Sequence, residues 1–155
     1  MTASVTPSVA TAVAEVLRMN DHLLRVNLDG MAADQAGRQP IDGANSVLWV
    51  VGHIAYWRNA LLGMTGAPPL WTDAEAEIFK GQARGPAPAV TGWTLDRLMA
   101  IHRQVTHALL EGLDALPAAA AADLGKPLRG LANHEAYHVG QVAMLRRALG
   151  LPGAV

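Results

Sequence analysis

The stretch from Leu131 to Leu149 constrains this chain most, because its apolar residues recur at the spacing of an α-helix. His134 and His138 fall in the same sector of that helix as Gln141 and the apolar residues Leu131, Val142, Leu145 and Leu149. Arg146 and Arg147 are predicted to point away from this sector. Residues four apart on a helix lie roughly 6 Å from each other, so two imidazoles at this spacing can bind one metal ion.

The composition predicts one compact globular domain that covers residues 1–155. Of the 155 residues, 51% are hydrophobic and 16% are charged, which is typical of a folded protein with a large core. The net charge is −1 and the Lys and Arg residues are scattered, which argues against a nucleic-acid partner. The absence of cysteine removes disulfides, thiolate metal ligands and a cysteine nucleophile.

The N-terminal sequence predicts neither export nor membrane insertion. The segment MTASVTPSVATAVAEVL lacks a charged region ahead of its apolar residues, and it contains Glu15. No apolar run in the chain approaches the roughly 20 residues that cross a bilayer. We therefore expect a cytoplasmic protein without a membrane partner.

Four segments show helical periodicity, and together they predict an all-α protein built as a four-helix bundle. The segments run from about Ser8 to Leu28, from Ser46 to Met64, from the capping residue Thr94 to about Leu116, and from Leu131 to Leu149. The second helix is apolar nearly all round and is interrupted by Arg58 and Asn59, which predicts a central position for it.

Turn-forming residues predict the shorter connections between these helices. The stretch from Gly30 to Asn45 is expected to be a connection that ends at a capping residue, Asn45 or Ser46. Pro117 is expected to end the third helix, although Ala118 to Ala122 can form a helical turn. The stretch from Gly125 to Pro127 is expected to be the final break before the fourth helix.

A long loop is predicted between the second and third helices, from Thr65 to Trp93. It contains several glycines and the prolines Pro68, Pro69, Pro86 and Pro88. A short helix is expected within it, around Asp73 to Phe79. Long loops in compact domains often serve as lids, and the aromatic residues Trp71, Phe79 and Trp93 predict a packed one.

The six histidines divide according to the faces of their helices. His22 and His107 lie outside the apolar sectors. The other four point inward on three different helices: His53, His102, His134 and His138. A buried imidazole without a partner costs on the order of 1 to 3 kcal/mol, so several in one core favour shared partners or a metal ion.

His53, His134 and His138 are the predicted metal ligands. Three neutral nitrogen ligands leave coordination positions open to water or substrate, as in a catalytic rather than a closed structural site. This donor set favours zinc, with nickel or another borderline divalent metal as an alternative.

The five residues from His134 to His138 read H-E-A-Y-H and match the H-E-x-x-H signature of zinc proteases. In that interpretation Glu135 is the general base. The usual protease context adds a third ligand downstream and a strand edge that binds peptide. Only 17 residues follow His138 and no strand pattern is present, so the protease interpretation is disfavoured.

The segments SVLWVVGHIAYWRNALLG and NHEAYHVGQVAMLRRALG resemble the DinB/YfiT-like superfamily. The specific part of this resemblance is the G-H pair of the second helix together with H-x-x-x-H-x-G-Q of the fourth. It implies a four-helix bundle with a three-histidine metal site, whose ligands correspond to His53, His134 and His138. Because members of this superfamily include thiol-dependent transferases and isomerases, it also implies a low-molecular-weight thiol cosubstrate. Dimers are common among them.

Four further residues are candidates for the site. Trp57 shares the sector of His53, and with His102 and Gln141 it is a candidate for the substrate pocket. His102 alternatively packs in the core or supports a ligand, and Gln141 alternatively orients a ligand or joins two helices. Glu135 lies about 100° round the helix from His134, where it could act on a water at the metal. The alternative for Glu135 is a salt bridge at the surface.

The fourth helix also carries a strip of small residues, Ala132, Ala136, Val139, Gly140 and Ala143. Together with the all-round apolar second helix, this strip favours a homodimer, although packing within one chain explains it nearly as well.

The sequence leaves three functional hypotheses open. The first is a divalent-metal-dependent enzyme, a hydrolase or thiol transferase, that acts on a small-molecule substrate beneath a lid containing Trp71 and Phe79. The second is a non-catalytic bundle that holds a metal or small ligand as a sensor or carrier. The third is a structural bundle whose histidines are hydrogen-bonded.

Overall fold

The computed structural model describes residues 7–72, 74–81 and 90–154, and within these ranges it contains helices and no strands. The elements are α1 (Val9–Leu28), α2 (Ala33–Gly37), α3 (Val47–Met64), a 3-10 helix (Ala74–Phe79), α4 (Leu95–Ala115), α5 (Ala118–Asp123) and α6 (Gly125–Ala148). The four long helices pack in a ring, in which α3 and α1 each contact both α4 and α6. The predicted all-α bundle is confirmed. None of the described helices is long and apolar enough to cross a membrane.

The predicted N-caps of the second and third long helices are confirmed, and Ser8 caps the first. The hydroxyl groups of Ser8, Ser46 and Thr94 each accept a hydrogen bond from the backbone N–H three residues further on. Each cap satisfies a donor that the first turn of a helix would otherwise leave without a partner. The sequence left the start of the second helix open between Asn45 and Ser46, and Ser46 is the cap.

The predicted break from Gly125 to Pro127 is wrong. These residues form the first turn of α6, which starts six residues earlier than the sequence pattern indicated. Pro127 is accommodated there because the first turn of a helix needs no intrahelical N–H donor. The predicted helical turn at Ala118 exists as α5, and only Leu124 separates it from α6.

The sequence pattern placed Arg146 outside the sector of His134 and His138, but it did not predict that Arg146 is buried. Its side chain is buried, and its guanidinium group donates hydrogen bonds to the carbonyl groups of Asn27, Asp29 and Pro152. The last carbonyls of a helix have no intrahelical partner. Arg146 therefore stabilises the end of α1 and attaches the C-terminal residues to it.

The long loop after α3 packs against the bundle, as predicted. Trp71, Phe79 and Trp93 are buried, and their ring centroids lie 5.3 to 5.6 Å apart. Asn59 holds the start of the loop, because its amide accepts hydrogen bonds from the N–H groups of Leu70 and Trp71 and donates one to the Trp71 carbonyl. Asp73 and the part of the loop with Pro86 and Pro88 lie outside the described residues.

Arg58 joins all four long helices. It lies on α3 and is fully buried. Its Nε and Nη2 atoms donate to the two carboxylate oxygens of Glu135 on α6, at 2.7 and 2.6 Å. Nη2 also donates to the carbonyl of Leu17 on α1, at 2.9 Å. Nη1 donates to the hydroxyl of Thr106 on α4. One guanidinium group therefore connects the helices at a single level of the bundle.

This network satisfies most of the hydrogen-bonding capacity of two buried charges. A guanidinium has five N–H donors in a fixed fork that matches a carboxylate. Four of the five donors of Arg58 are paired, and both oxygens of Glu135 accept from it. A buried ion pair of this kind is costly to break, because removal of either partner leaves an uncompensated charge.

We expect the Glu135→Ala substitution to lower the free energy of unfolding by about 3 to 5 kcal/mol, because it leaves the Arg58 guanidinium buried without a counter-charge. The double variant Arg58→Met/Glu135→Leu should recover much of this loss, because it removes both charges. Urea denaturation followed by circular dichroism measures the difference.

The matched control is the exposed ion pair between Arg18 and Asp114, whose atoms lie 3.3 Å apart. Asp114→Ala should cost less than about 1 kcal/mol, because surface pairs contribute little. Equal losses for Glu135→Ala and Asp114→Ala would contradict the role of the buried pair.

Candidate metal centre

Three imidazoles from two helices converge on one point. His53 lies on α3, and His134 and His138 lie one turn apart on α6. The Nε2 atom of His134 is 3.2 Å from that of His53 and 3.0 Å from that of His138. His53 and His138 are buried, whereas His134 is half-buried. Among the described residues, these three form the group that could hold a metal ion.

The outer nitrogens of two of these rings are held in place. Nδ1 of His53 donates to the backbone carbonyl of Phe79, at 2.6 Å. Nδ1 of His138 donates to Oε1 of Gln141, at 2.7 Å, and the Gln141 amide in turn donates to the hydroxyl of Tyr137. Because each Nδ1 carries the proton, the Nε2 atom of each neutral ring presents a lone pair to the shared point.

Hydrogen bonds among the three rings cannot satisfy this arrangement. The lone pairs of His53 and His138 both face Nε2 of His134. A neutral His134 has at most one proton on that atom, so one short nitrogen–nitrogen contact lacks a proton. A divalent cation resolves the conflict. Zinc–nitrogen bonds of about 2.0 to 2.1 Å in a tetrahedral arrangement place two ligand nitrogens about 3.3 Å apart, close to the spacing observed.

The environment keeps these rings neutral, as metal ligands must be. Burial lowers the pKa of His53 to about 4, and the neighbouring His138 and His134 act in the same direction. Burial likewise lowers the pKa of His138 to about 4, with a contribution from His134. The pKa of His134 is lowered as well, again through burial. At neutral pH no ring has to lose a proton before it binds a cation.

Gly52 explains how Phe79 reaches His53. A Cβ atom at this position would overlap the ring of Phe79, which lies directly on the α3 backbone. The missing side chain lets the end of the 3-10 helix approach closely enough for the Phe79 carbonyl to accept from His53. In the sequence Gly52 is recognisable only as part of a G-H pair. The pattern does not reveal its contact with Phe79, which lies 27 residues further along the chain.

Trp57 and His134 line a groove between α3 and α6, which we call the α3–α6 groove. Its volume is about 350 Å³, and its remaining lining residues are Ala60, Leu61, Met64, Pro127, Gly130 and Leu131. The ring of Trp57 meets that of His134 edge-on, with centroids 6.1 Å apart. Trp71 and Phe79, predicted as a lid over the substrate, do not line this groove.

Glu135 is buried and forms a salt bridge with Arg58. The sequence offered two positions for it, near a water at the metal or in a salt bridge at the surface, and the surface position is excluded, since the side chain is only 2% exposed. Both carboxylate oxygens accept hydrogen bonds from Arg58 in the core. The sequence treated Arg58 as an interruption of an apolar helix, so this partner was missed.

His102 is buried, as predicted, but it is not grouped with the other three histidines. Among the described residues neither of its ring nitrogens has a hydrogen-bond partner, and Nδ1 lies 3.6 Å from the nearer carboxylate oxygen of Asp21. Burial lowers the pKa of His102 well below its usual value, and the positive charges of Arg58, Arg25 and Arg103 act in the same direction. Core packing is one of the roles that the sequence left open for His102.

Comparison with known families gives one assignment. The family model described as the DinB superfamily matches residues 16–142, which is most of the chain. Neither the curated proteins nor the solved structures contain a significant match.

We expect Gly52→Ala to lower the free energy of unfolding, although alanine favours a helix by about 1 kcal/mol over glycine. The new Cβ must displace Phe79, which is fully buried. Gly140→Ala is the matched control, because a Cβ at Gly140 meets nothing within 4 Å. It should raise the free energy of unfolding. Stabilisation by both substitutions would contradict the close approach of Phe79 to α3.

We expect His102→Leu to stabilise the protein increasingly as the pH falls. The folded state holds His102 neutral, whereas in the unfolded chain it binds a proton below its ordinary pKa of 6.5. Stability from this site is therefore complete above that pH and is lost below it. Between pH 7 and pH 5.5 the advantage of the variant should grow by about 1 kcal/mol.

Denaturation at several pH values measures this difference. His107→Leu is the control, because His107 is exposed and lies beside Glu111. Parallel pH profiles for His102→Leu and the parent protein would contradict the proton linkage.

Proposed function

The chain belongs to the DinB superfamily, and we propose that it is a divalent-metal-dependent enzyme that acts on a small molecule. The observation that carries this proposal is the convergence of three Nε2 atoms, two of them 3.2 and 3.0 Å from the third, with no proton arrangement that satisfies all of them. Under the proposal His53, His134 and His138 hold the metal ion.

We propose zinc as the ion, because three neutral imidazoles suit a borderline divalent metal. Nickel is the alternative with the same preference for nitrogen. Bound here, such an ion supplies a Lewis acid that lowers the pKa of a water or thiol, or polarises a substrate carbonyl.

The chain's own residues fix the ligands. Gln141 accepts from His138, and the Phe79 carbonyl accepts from His53, so that both rings keep the tautomer that a metal requires. Of the roles that the sequence left open for Gln141, the proposal assigns it the orientation of a ligand and not contact with substrate. We assign Glu135 a structural role, because both of its carboxylate oxygens accept hydrogen bonds from Arg58.

For the reaction we propose hydrolysis or the transfer of a low-molecular-weight thiol. Because the chain has no cysteine, a thiol nucleophile must come from a cosubstrate. One observation favours a non-catalytic carrier or sensor as the second candidate. Among the described residues, His134 is the only titratable side chain that lines the α3–α6 groove, so a protein group that transfers protons is not evident there.

We also propose that the protein forms a homodimer in the cytoplasm. Ala136 and Gly140 are exposed on α6, beside the exposed side chains of Tyr137 and Met144. Ala132 and Val139, from the same strip of small residues, are buried within the chain. Only part of the strip is therefore available to a second copy.

Metal titration of protein stripped with a chelator tests the site. We expect about one zinc ion per chain and loss of this binding in His138→Ala. Gln141→Leu should weaken the affinity about 10- to 100-fold, because the ligand loses the group that orients it. Isothermal titration calorimetry of protein without a histidine tag measures each constant.

His107→Ala is the matched control, since His107 is exposed and outside the group. Zinc binding by His138→Ala equal to that of the parent protein would refute the metal site. To separate an enzyme from a carrier, cobalt(II) replaces zinc and 2-mercaptoethanol is added. A thiolate-to-cobalt absorption band supports an open position for a thiol, whereas an unchanged spectrum favours a closed carrier site.

A further inference from the structure

We infer that the α3–α6 groove binds a small molecule with an uncharged, apolar body and a single polar end that reaches His134. This inference deepens the proposed function. It rests on the proposed metal ion only for the contact made by the polar end of the ligand. The groove itself belongs to the fold of this chain and does not require a metal ion.

The lining of the groove determines the chemical class of the ligand. Seven of the eight lining residues are apolar or glycine, and His134 is the eighth. No charged side chain is among them. A carboxylate or phosphate placed along the apolar part of the groove, away from His134, would lose its hydration without gaining a counter-charge. The volume of about 350 Å³ is at the lower end of the range for small-molecule sites.

The position of His134 determines the orientation of the ligand. Of the three converging histidines it is the least buried, and it is the one that lines the groove. A ligand in the groove therefore has its polar atom at the end near His134 and its apolar body along Leu61, Leu131 and Met64. Trp57, which is 36% exposed, forms a wall at the same end through its edge-on contact with His134.

Gly130 contributes space to the groove. It lines the groove, and a Cβ atom built on it meets nothing within 4 Å. It lies in the interior of α6, where glycine is unfavourable by about 1 kcal/mol relative to alanine. A larger side chain here would fill the groove without a clash at its Cβ, so Gly130 limits the width of the ligand.

The test uses N-phenyl-1-naphthylamine, a neutral apolar dye whose fluorescence rises on burial, with protein stripped of metal. We expect saturable binding of one dye per chain to the parent protein and to Gly140→Leu. Gly130→Leu should bind about tenfold more weakly or worse, because its side chain occupies the groove. The anionic analogue 1-anilinonaphthalene-8-sulfonate should bind the parent protein more weakly than the neutral dye.

If Gly130→Leu does not fold, a second pair of variants tests the groove. Met64 and Met144 are both about half exposed, at 53% and 51%, but only Met64 lines the groove. Met64→Glu should weaken binding of the neutral dye and Met144→Glu should not. Equal affinity for dye in the parent protein, Gly130→Leu and Met64→Glu would overturn the proposal. Tighter binding of the anionic dye than of the neutral dye would also overturn it. The same holds if Gly130→Leu dissociates a dimer of the parent protein but leaves dye binding unchanged.

The polar end is tested in the zinc-loaded protein by displacement of the neutral dye. Octanohydroxamate should displace it at lower concentration than octanamide, and acetohydroxamate should be a weak competitor. Equal competition by octanohydroxamate and octanamide would overturn the placement of the polar end. Because the dye experiment uses metal-free protein, failure of the metal site leaves its result intact, and failure of dye binding leaves zinc titration intact.

Discussion

The buried ion pair between Arg58 and Glu135 sets the relative positions of the four long helices. Arg58 bonds to α1, α4 and α6 from its place on α3, so a shift of any one helix along the bundle axis would break a charged hydrogen bond in the core. His134 immediately precedes Glu135, and His53 lies five residues before Arg58. The pair that connects α3 to α6 therefore also fixes the height at which the histidines of the two helices meet.

A second constraint acts on α3 through the loop. Asn59 holds the start of the loop by three hydrogen bonds. Phe79, at the end of the 3-10 helix within the loop, packs on Gly52, and its carbonyl accepts a hydrogen bond from His53. The loop is thus part of the site, although it does not line the groove. The Phe79 carbonyl accepts a hydrogen bond from Nδ1 of His53, and the Gln141 side chain accepts one from Nδ1 of His138. Both rings are therefore oriented by groups of this chain.

The sequence predicted the cluster of three histidines better than it predicted the polar core. The side of a helix on which a residue lies follows from the spacing of the apolar residues around it. The inward direction of His53, His134 and His138 could therefore be predicted from nearby residues alone. The roles of Arg58, Glu135 and Arg146 depend on residues 41 to 119 positions away or on loop carbonyls, and no periodicity encodes those contacts. Periodicity placed Arg146 outside the sector of the two histidines, but it did not reveal the backbone carbonyls that bind its guanidinium group. The first turn of α6 was missed because glycine and proline usually mark a break, whereas a helix start tolerates both.

The motif H-E-A-Y-H shows why a short pattern does not determine chemistry. In helical geometry its two histidines share a face, but the intervening Glu135 lies about 100° away from His134 and can turn either to the metal or to the core. Which direction it takes depends on what the facing helix offers. Here α3 presents the fully buried Arg58, whose guanidinium needs a counter-charge in the core, and the carboxylate is drawn to it. The five residues that resemble a protease signature therefore have two roles. The two histidines converge with His53, and the glutamate connects α6 to α3.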